Sequence, residues 1–102
     1  MISSSAHTEG SDTKAAGISS HAEGYNSIAS GNYSHAEGQQ SYALEKGAHA
    51  EGIGSIALGT GSHAEGSSTK AIGTLSHAEG GTGTINIFIS GNANENIYNY
   101  RV

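Results

Sequence analysis

The tetrapeptide His-Ala-Glu-Gly begins at His21, His35, His49, His63 and His77, and the variant His7-Thr8-Glu9-Gly10 precedes them, so the motif returns every 14 residues. A fixed short period means that each unit is one supersecondary element stacked on its neighbours, which excludes most globular architectures. Five full units span residues 11–24, 25–38, 39–52, 53–66 and 67–80. Each divides into two halves of seven. The first half reads Ser/Thr-x-Ala-x-Gly, as in Ser27-Ile28-Ala29-Ser30-Gly31, and the second reads Ser-His-Ala-Glu-Gly, as in Ser34 to Gly38.

Ser, Ala and Gly in S-x-A-x-G fall on one side of an extended chain and the two x residues on the other, which is strand alternation. Apolar residues at helical spacing are missing. Between the halves lie two or three residues of the Gly, Asn, Ser and Thr type, enough for a turn and too few for a crossover helix. The pattern therefore predicts an all-β coil of 14-residue turns, a β-solenoid in which each strand pairs in parallel with its copy one turn on, about 4.8 Å away. Its inside is narrow, because Ala15, Ala29, Ala43, Ala57 and Ala71 line it from the first halves and Ala22, Ala36, Ala50, Ala64 and Ala78 from the second.

Composition agrees with this order and with little else. Leu, Ile, Val and Phe number 15 of 102 residues, against 16 Gly, 16 Ser and 14 Ala. A chain so poor in large aliphatics has the inventory of a disordered segment. Burying an Ala methyl contributes on the order of 0.8 kcal/mol, while fixing one backbone residue costs about 1 to 2 kcal/mol. A lone coil is thus marginal, and lateral association of several chains is the expected remedy. Cysteine is absent, which excludes disulfides and thiol chemistry. With a net charge of −5 and four basic residues, the chain offers no footprint for nucleic acid. No apolar stretch is long enough to span a membrane, and the first ten residues lack the basic start and apolar run of a signal peptide.

The S-x-A-x-G halves in a 14-residue frame resemble the head repeats of YadA-like trimeric autotransporter adhesins, and the Ser-His-Ala-Glu-Gly version resembles repeats of phage tail and bacterial surface proteins. The resemblance covers residues 11–80 and a partial turn at 6–10. It implies a left-handed parallel β-roll, three chains side by side as a homotrimer, and a rigid projecting module for host-surface attachment, located at the cell surface or in a phage virion. The alternative role is a repeat segment of a larger phage tail protein whose activity lies in other domains. The third unit departs from the pattern: Glu45 stands in the first-half Gly position and Ala48 replaces Ser, which predicts a reshaped turn.

Two outward-facing sets compete for the trimer interface. The first-half pairs are Lys14/Ala16, Ile28/Ser30, Tyr42/Leu44, Ile56/Leu58 and Lys70/Ile72; the second-half pairs are always His and Glu. Hydrophobicity favours the first set and uniformity the second. Uniformity assigns the interface to His21, Glu23, His35, Glu37, His49, Glu51, His63, Glu65, His77 and Glu79. Charged histidine beside glutamate predicts raised histidine pKa values, and with them stability that is present at low pH and lost on going to pH 8.

Six His-x-Glu pairs could ligate a metal, but the spacing lacks the clustered ligand set of a dedicated site, so neither metal nor cofactor is expected. Catalysis is not expected. Adjacent Ser and His, as in Ser34-His35, point to opposite faces of a strand and cannot act as nucleophile and base. The serines instead belong inside the coil, bonded to backbone. Tyr25, Tyr33 and Tyr42, with neighbouring Asn and Gln, are the aromatic and amide-rich positions suited to contacting a host-surface glycan or protein. The repeat domain runs over residues 1–80. Beyond it the frame breaks, and Ile85, Ile87 and Ile89 on one strand face predict capping strands, or the start of a following domain, over 81–102.

Overall fold

A computed structural model of the chain describes residues 5–80. Eleven strands alternate long and short: β1 (His7–Ser11), β2 (Lys14–Ala15), β3 (His21–Tyr25), β4 (Ile28–Ala29), β5 (His35–Gln39), β6 (Tyr42–Ala43), β7 (His49–Ile53), β8 (Ile56–Ala57), β9 (His63–Ser67), β10 (Lys70–Ala71) and β11 (His77–Gly80). The long strands form one parallel sheet in the order β1-β3-β5-β7-β9-β11, and the short ones a second in the order β2-β4-β6-β8-β10. Every partner lies one period away, so His21 pairs with His35, Ala22 with Ala36 and Glu23 with Glu37. The described chain is a parallel β-solenoid of about five 14-residue turns, without a helix. The strands predicted for 81–102 lie outside the described residues.

The period-2 pattern sets the core. All ten inward alanines of the strands are fully buried, and Ala48 joins them at 1% exposure. Ser20, Ser27, Ser34, Ser41, Ser55, Ser62, Thr69 and Ser76 are buried with them. A hydroxyl inside so narrow a coil must find a partner. Ser20 and Ser34 donate to the carbonyls of Gly17 and Gly31 in their own turn, at 2.7 and 2.6 Å. Ser27, Ser41 and Ser55 reach across the coil to Gly38, Gly52 and Gly66, at 3.1 to 3.2 Å. The serines thus tie the two sheets together where alanine alone would leave only methyl contacts.

The corners stack as regularly as the strands. A residue with φ between 55° and 68° recurs every seven positions from Ser5 to Leu75, among them Asn26, Tyr33, Gln40 and Gly54. Its N–H donates to the corner carbonyl one turn below, as from Asn26 to Ser11 at 2.8 Å and from Tyr33 to Ile18 at 2.7 Å. The backbone is therefore bonded turn to turn through the bends as well. The third unit does not show the reshaped turn that its sequence predicts. Ala48 N–H still donates to the Glu45 carbonyl at 3.0 Å, as Ser34 does to Gly31 at 3.2 Å, and Gly47 donates to Asn32 at 2.8 Å. Position 45 has no need of a positive φ, and the Glu45 side chain leaves the coil into solvent.

Glycine is required at the fourth residue of each long strand. Gly24, Gly38, Gly52 and Gly66 have φ of +104° to +111°. A Cβ at Gly38 would stand 2.2 Å from the carbonyl oxygen of Gly52. The close stacking of turns leaves no room for a side chain there.

Candidate functional site

Strand register converts the repeated His-x-Glu pair into two columns on the outer face of the long sheet. Parallel pairing in exact period puts like residue over like, so histidine stacks on histidine. From His21 to His77 consecutive rings are nearly parallel, at 1° to 10°, with centroids 4.6 to 4.8 Å apart. His7, at the exposed end, is turned by 75° against His21. The glutamates rise beside them and, with the glycines that follow, line an open trough of about 1110 Å³ running from Glu9 to Gly80.

In the upper turns each imidazole sits between two carboxylates. His49 Nε2 lies 3.7 Å from Glu51 of its own turn and 3.6 Å from Glu37 of the turn below. His63 lies 3.6 Å from Glu65 and 3.3 Å from Glu51, and His77 is 3.5 Å from Glu79 and 3.4 Å from Glu65. The own-turn contact shortens to 3.2 Å at His21. These side chains are roughly a third exposed. The Nε2 atoms of His21, His35 and His49 are covered from solvent and make no hydrogen bond.

At His35 and His49 the shift runs opposite to the expected one. Burial lowers the pKa of His35, with the neighbouring His21 adding to it, and burial followed by His63 and His35 lowers that of His49. The expectation took the histidine column as counter-charge to the stacked glutamates; the column also gives each imidazole neighbours of its own kind. The carboxylates divide among themselves. A side-chain hydrogen bond with Glu51 pushes Glu37 up to about 7, and the same bond holds Glu51 down at about 2. Glu65 is raised by its hydrogen bonds with Glu51 and Glu79, and Glu23 is lowered by those with Glu9 and Glu37. Carboxylates stacked one per turn cannot all ionise freely, and the shifts alternate in direction from Glu23 to Glu65.

The ten His and Glu residues assigned to an interface thus form one continuous outer stripe whose ionic contacts close within the chain. The competing outer face, on the short sheet, carries half-buried Ile28, Tyr42 and Ile56 in one column and half-buried Leu44 and Leu58 in the next, where Ile72 is 39% exposed. The three tyrosines are distributed over the coil. Tyr25 is exposed at the end of β3, Tyr33 is exposed at the corner that precedes β5, and Tyr42 lies on the short sheet. Tyr25 and Tyr33 therefore stand at opposite ends of the long strands. Sequence reasoning missed that the structure brings His, Glu and the next His together, since these ligands are separated by 2 and 12 residues along the chain. The period itself was the signal.

The family model described as YadA head domain repeat (2 copies) matches residues 9–34, 22–44, 36–62 and 50–76. The chain belongs to this family. Together the matches span residues 9–76, two thirds of the chain and nearly all of the described solenoid. No curated protein and no solved structure matches the chain. The YadA-type head repeat is thus present here in its His-Ala-Glu-Gly form, with the small inner residues and the outer columns just described.

Proposed function

We propose that this chain is a non-catalytic structural module of a surface adhesin, a stiff homotrimeric head or spacer that holds a host-attachment surface away from the cell. Each protomer is a left-handed roll on this reading. Membership in the YadA head repeat family and the uniformity of the solenoid support it: one unit is copied without a singular site that would mark an enzyme. A rod with backbone bonds running turn to turn through strands and corners alike is suited to projection.

The observation that carries the trimer is the apolar outer face of the short sheet. Ile28, Tyr42, Leu44, Ile56, Leu58 and Ile72 stand together above an interior built of small residues, chiefly alanine and serine. Burying them between chains supplies the apolar area that the core lacks. The His/Glu stripe has less reason to face the axis, since its contacts close within one chain and desolvating its carboxylates is costly. We therefore place the short sheet at the axis and leave the His/Glu stripe outside. Host-surface glycan or protein is the partner class, met by exposed Tyr25 and Tyr33.

Solution mass tests this reading. Light scattering should return three times the 10.3 kDa chain mass. The double substitution Ile28→Ser/Ile56→Ser should shift the mass to that of a monomer or unfold the chain, while Glu51→Gln should leave the trimer intact. A folded wild-type monomer overturns the assembly, and dissociation by Glu51→Gln alone moves the axis to the other face.

A further inference from the structure

The outer stripe of the long sheet gathers ligand atoms in threes, beyond the pairwise contacts described above. His Nε2, the glutamate of the same turn and the histidine of the next bring three ligand atoms within 4.8 Å of one another, five times along the column from His7 to His77. Tetrahedral N/O sites with bonds of about 2.0 to 2.2 Å place their ligand atoms roughly 3.4 Å apart. The His–Glu contacts of 3.2 to 3.7 Å already have that spacing.

Two independent features point to a cation. Nε2 of His21, His35 and His49 is shielded from solvent and lacks a hydrogen bond, so an electron pair or an N–H is left without a directed partner. Six glutamates are stacked one per turn, from Glu9 to Glu79, each over its own copy. A divalent ion satisfies both at once: it accepts the imidazole lone pair and neutralises the carboxylate beside it.

We propose that the His/Glu stripe is a linear array of divalent transition-metal sites, each formed by a histidine, the glutamate two residues on and the histidine of the next turn. Mixed imidazole and carboxylate ligands select ions of the zinc, nickel and copper type over magnesium and calcium, which prefer all-oxygen shells. Neighbouring sets share a histidine. The sets that start at His7, His35 and His63 share none, which limits fully liganded occupancy to three ions per chain. Ions on adjacent steps would also lie only one strand spacing apart and repel, whereas alternate steps separate them by about 9.6 Å. Stacked rings direct their Nε2 lone pairs in parallel, so binding must rotate imidazoles out of the stack; His7, at 75° to His21, already shows that ring freedom. Every ligand comes from one chain, so the inference stands apart from the proposed trimer.

The test is a titration of the chelator-treated full chain with zinc chloride, followed by calorimetry and by the ¹⁵N resonances of the histidine rings. The expected result is saturation at no more than three zinc ions per chain, large Nε2 shifts with small Nδ1 shifts, and no displacement by a hundredfold excess of magnesium. His49→Asn, on the outer face, should lose about one ion per chain and keep its circular dichroism. Unmoved Nε2 resonances at millimolar zinc overturn the proposal. So does displacement by magnesium, which would reduce the stripe to a plain polyanion, or undiminished stoichiometry in a folded His49→Asn variant. Should that variant not fold, the wild-type resonances decide.

Discussion

The long strands β3, β5, β7 and β9 present the same histidine and glutamate outward in every turn, whereas the short strands β2 to β10 present lysine, isoleucine, tyrosine, isoleucine and lysine in succession. Inward, both show a fully buried alanine, preceded in most turns by a buried serine or threonine. The two halves of the repeat thus obey one rule inside, where the width of the coil fixes residue size, and separate rules outside. On the long sheet each outer residue contacts its own copy above and below, so identity is reinforced along the column. On the short sheet the outer residue changes from turn to turn.

Glycine is where the two halves can be set against each other most sharply. Gly38, in the long half, combines φ of +104° with a Cβ position 2.2 Å from the Gly52 carbonyl oxygen. Gly31, in the short half, has no positive φ, although a Cβ there would meet the Glu45 carbonyl at 2.1 Å. The chain itself carries a side chain at the equivalent place in Glu45 and keeps the turn. Gly38→Ala should therefore cost about 4 kcal/mol or more and abolish folding, while Gly31→Ala should cost about 1 to 3 kcal/mol through a local shift of the turn. Urea denaturation compares the two. Equal losses would mean that steric approach alone, and not backbone conformation, distinguishes the halves.

The outer faces should differ in their response to pH, because only the long sheet carries a titrating column. Glu37, raised from 4.5 to about 7, contributes stability that is fully present below 4.5 and lost as pH rises through 7. His35 and His49, lowered from 6.5, contribute stability present above 6.5 and lost as pH falls below it. Glu51, lowered to about 2, gives stability present above 4.5 and lost on further acidification. In chelator, the melting temperature should rise from pH 8.5 to 7, change little between 6.5 and 4.5 where the effects oppose, and fall below 4.5. Glu37→Gln should flatten the alkaline arm. A monotonic loss of stability from pH 5 to pH 8 that persists in Glu37→Gln would restore the simple picture of charged histidine paired with glutamate.

Much of this architecture was legible because a solenoid turns sequence period into spatial neighbourhood. Alternation located Ala22, Ala29 and their copies in the core and the serines beside them, and the 14-residue frame fixed every strand register. What escaped was how neighbouring turns shift one another's titration. The histidine shift was misjudged because His49 meets His35 and His63 as well as its own glutamate. Carboxylate sharing between Glu37 and Glu51 is likewise a property of the stack. The turn at Glu45 was misjudged for another reason: glycine at positions 17, 31 and 59 suggested a backbone demand that only the long half makes.

The smallest effect separates the two corners of the coil. After the long strands the positive-φ positions hold Asp12, Asn26, Gln40, Gly54 and Ser68, small or polar residues of which Asp, Asn and Gly enter the left-handed region readily. Before them the same conformation falls on Ser19, Tyr33, Gly47, Gly61 and Leu75. Leu75, at φ 62° and 52% exposed, keeps a bulky side chain in a region that costs an L-residue roughly 1 to 2 kcal/mol, and buries little in return. Leu75→Asn should therefore stabilise the fold by about 0.5 to 1 kcal/mol, raising the melting temperature by about 2 to 8 °C, while Asn26→Leu at the other corner should lower it by a similar amount. If Leu75→Asn destabilises, the leucine holds that corner by packing over Gly61, whose Cβ position lies 2.9 Å from Leu75 Cδ2. The corner before the long strands would then be a hydrophobic clasp rather than a strained bend, and the two corners would differ in packing as the two sheets differ in their outer faces.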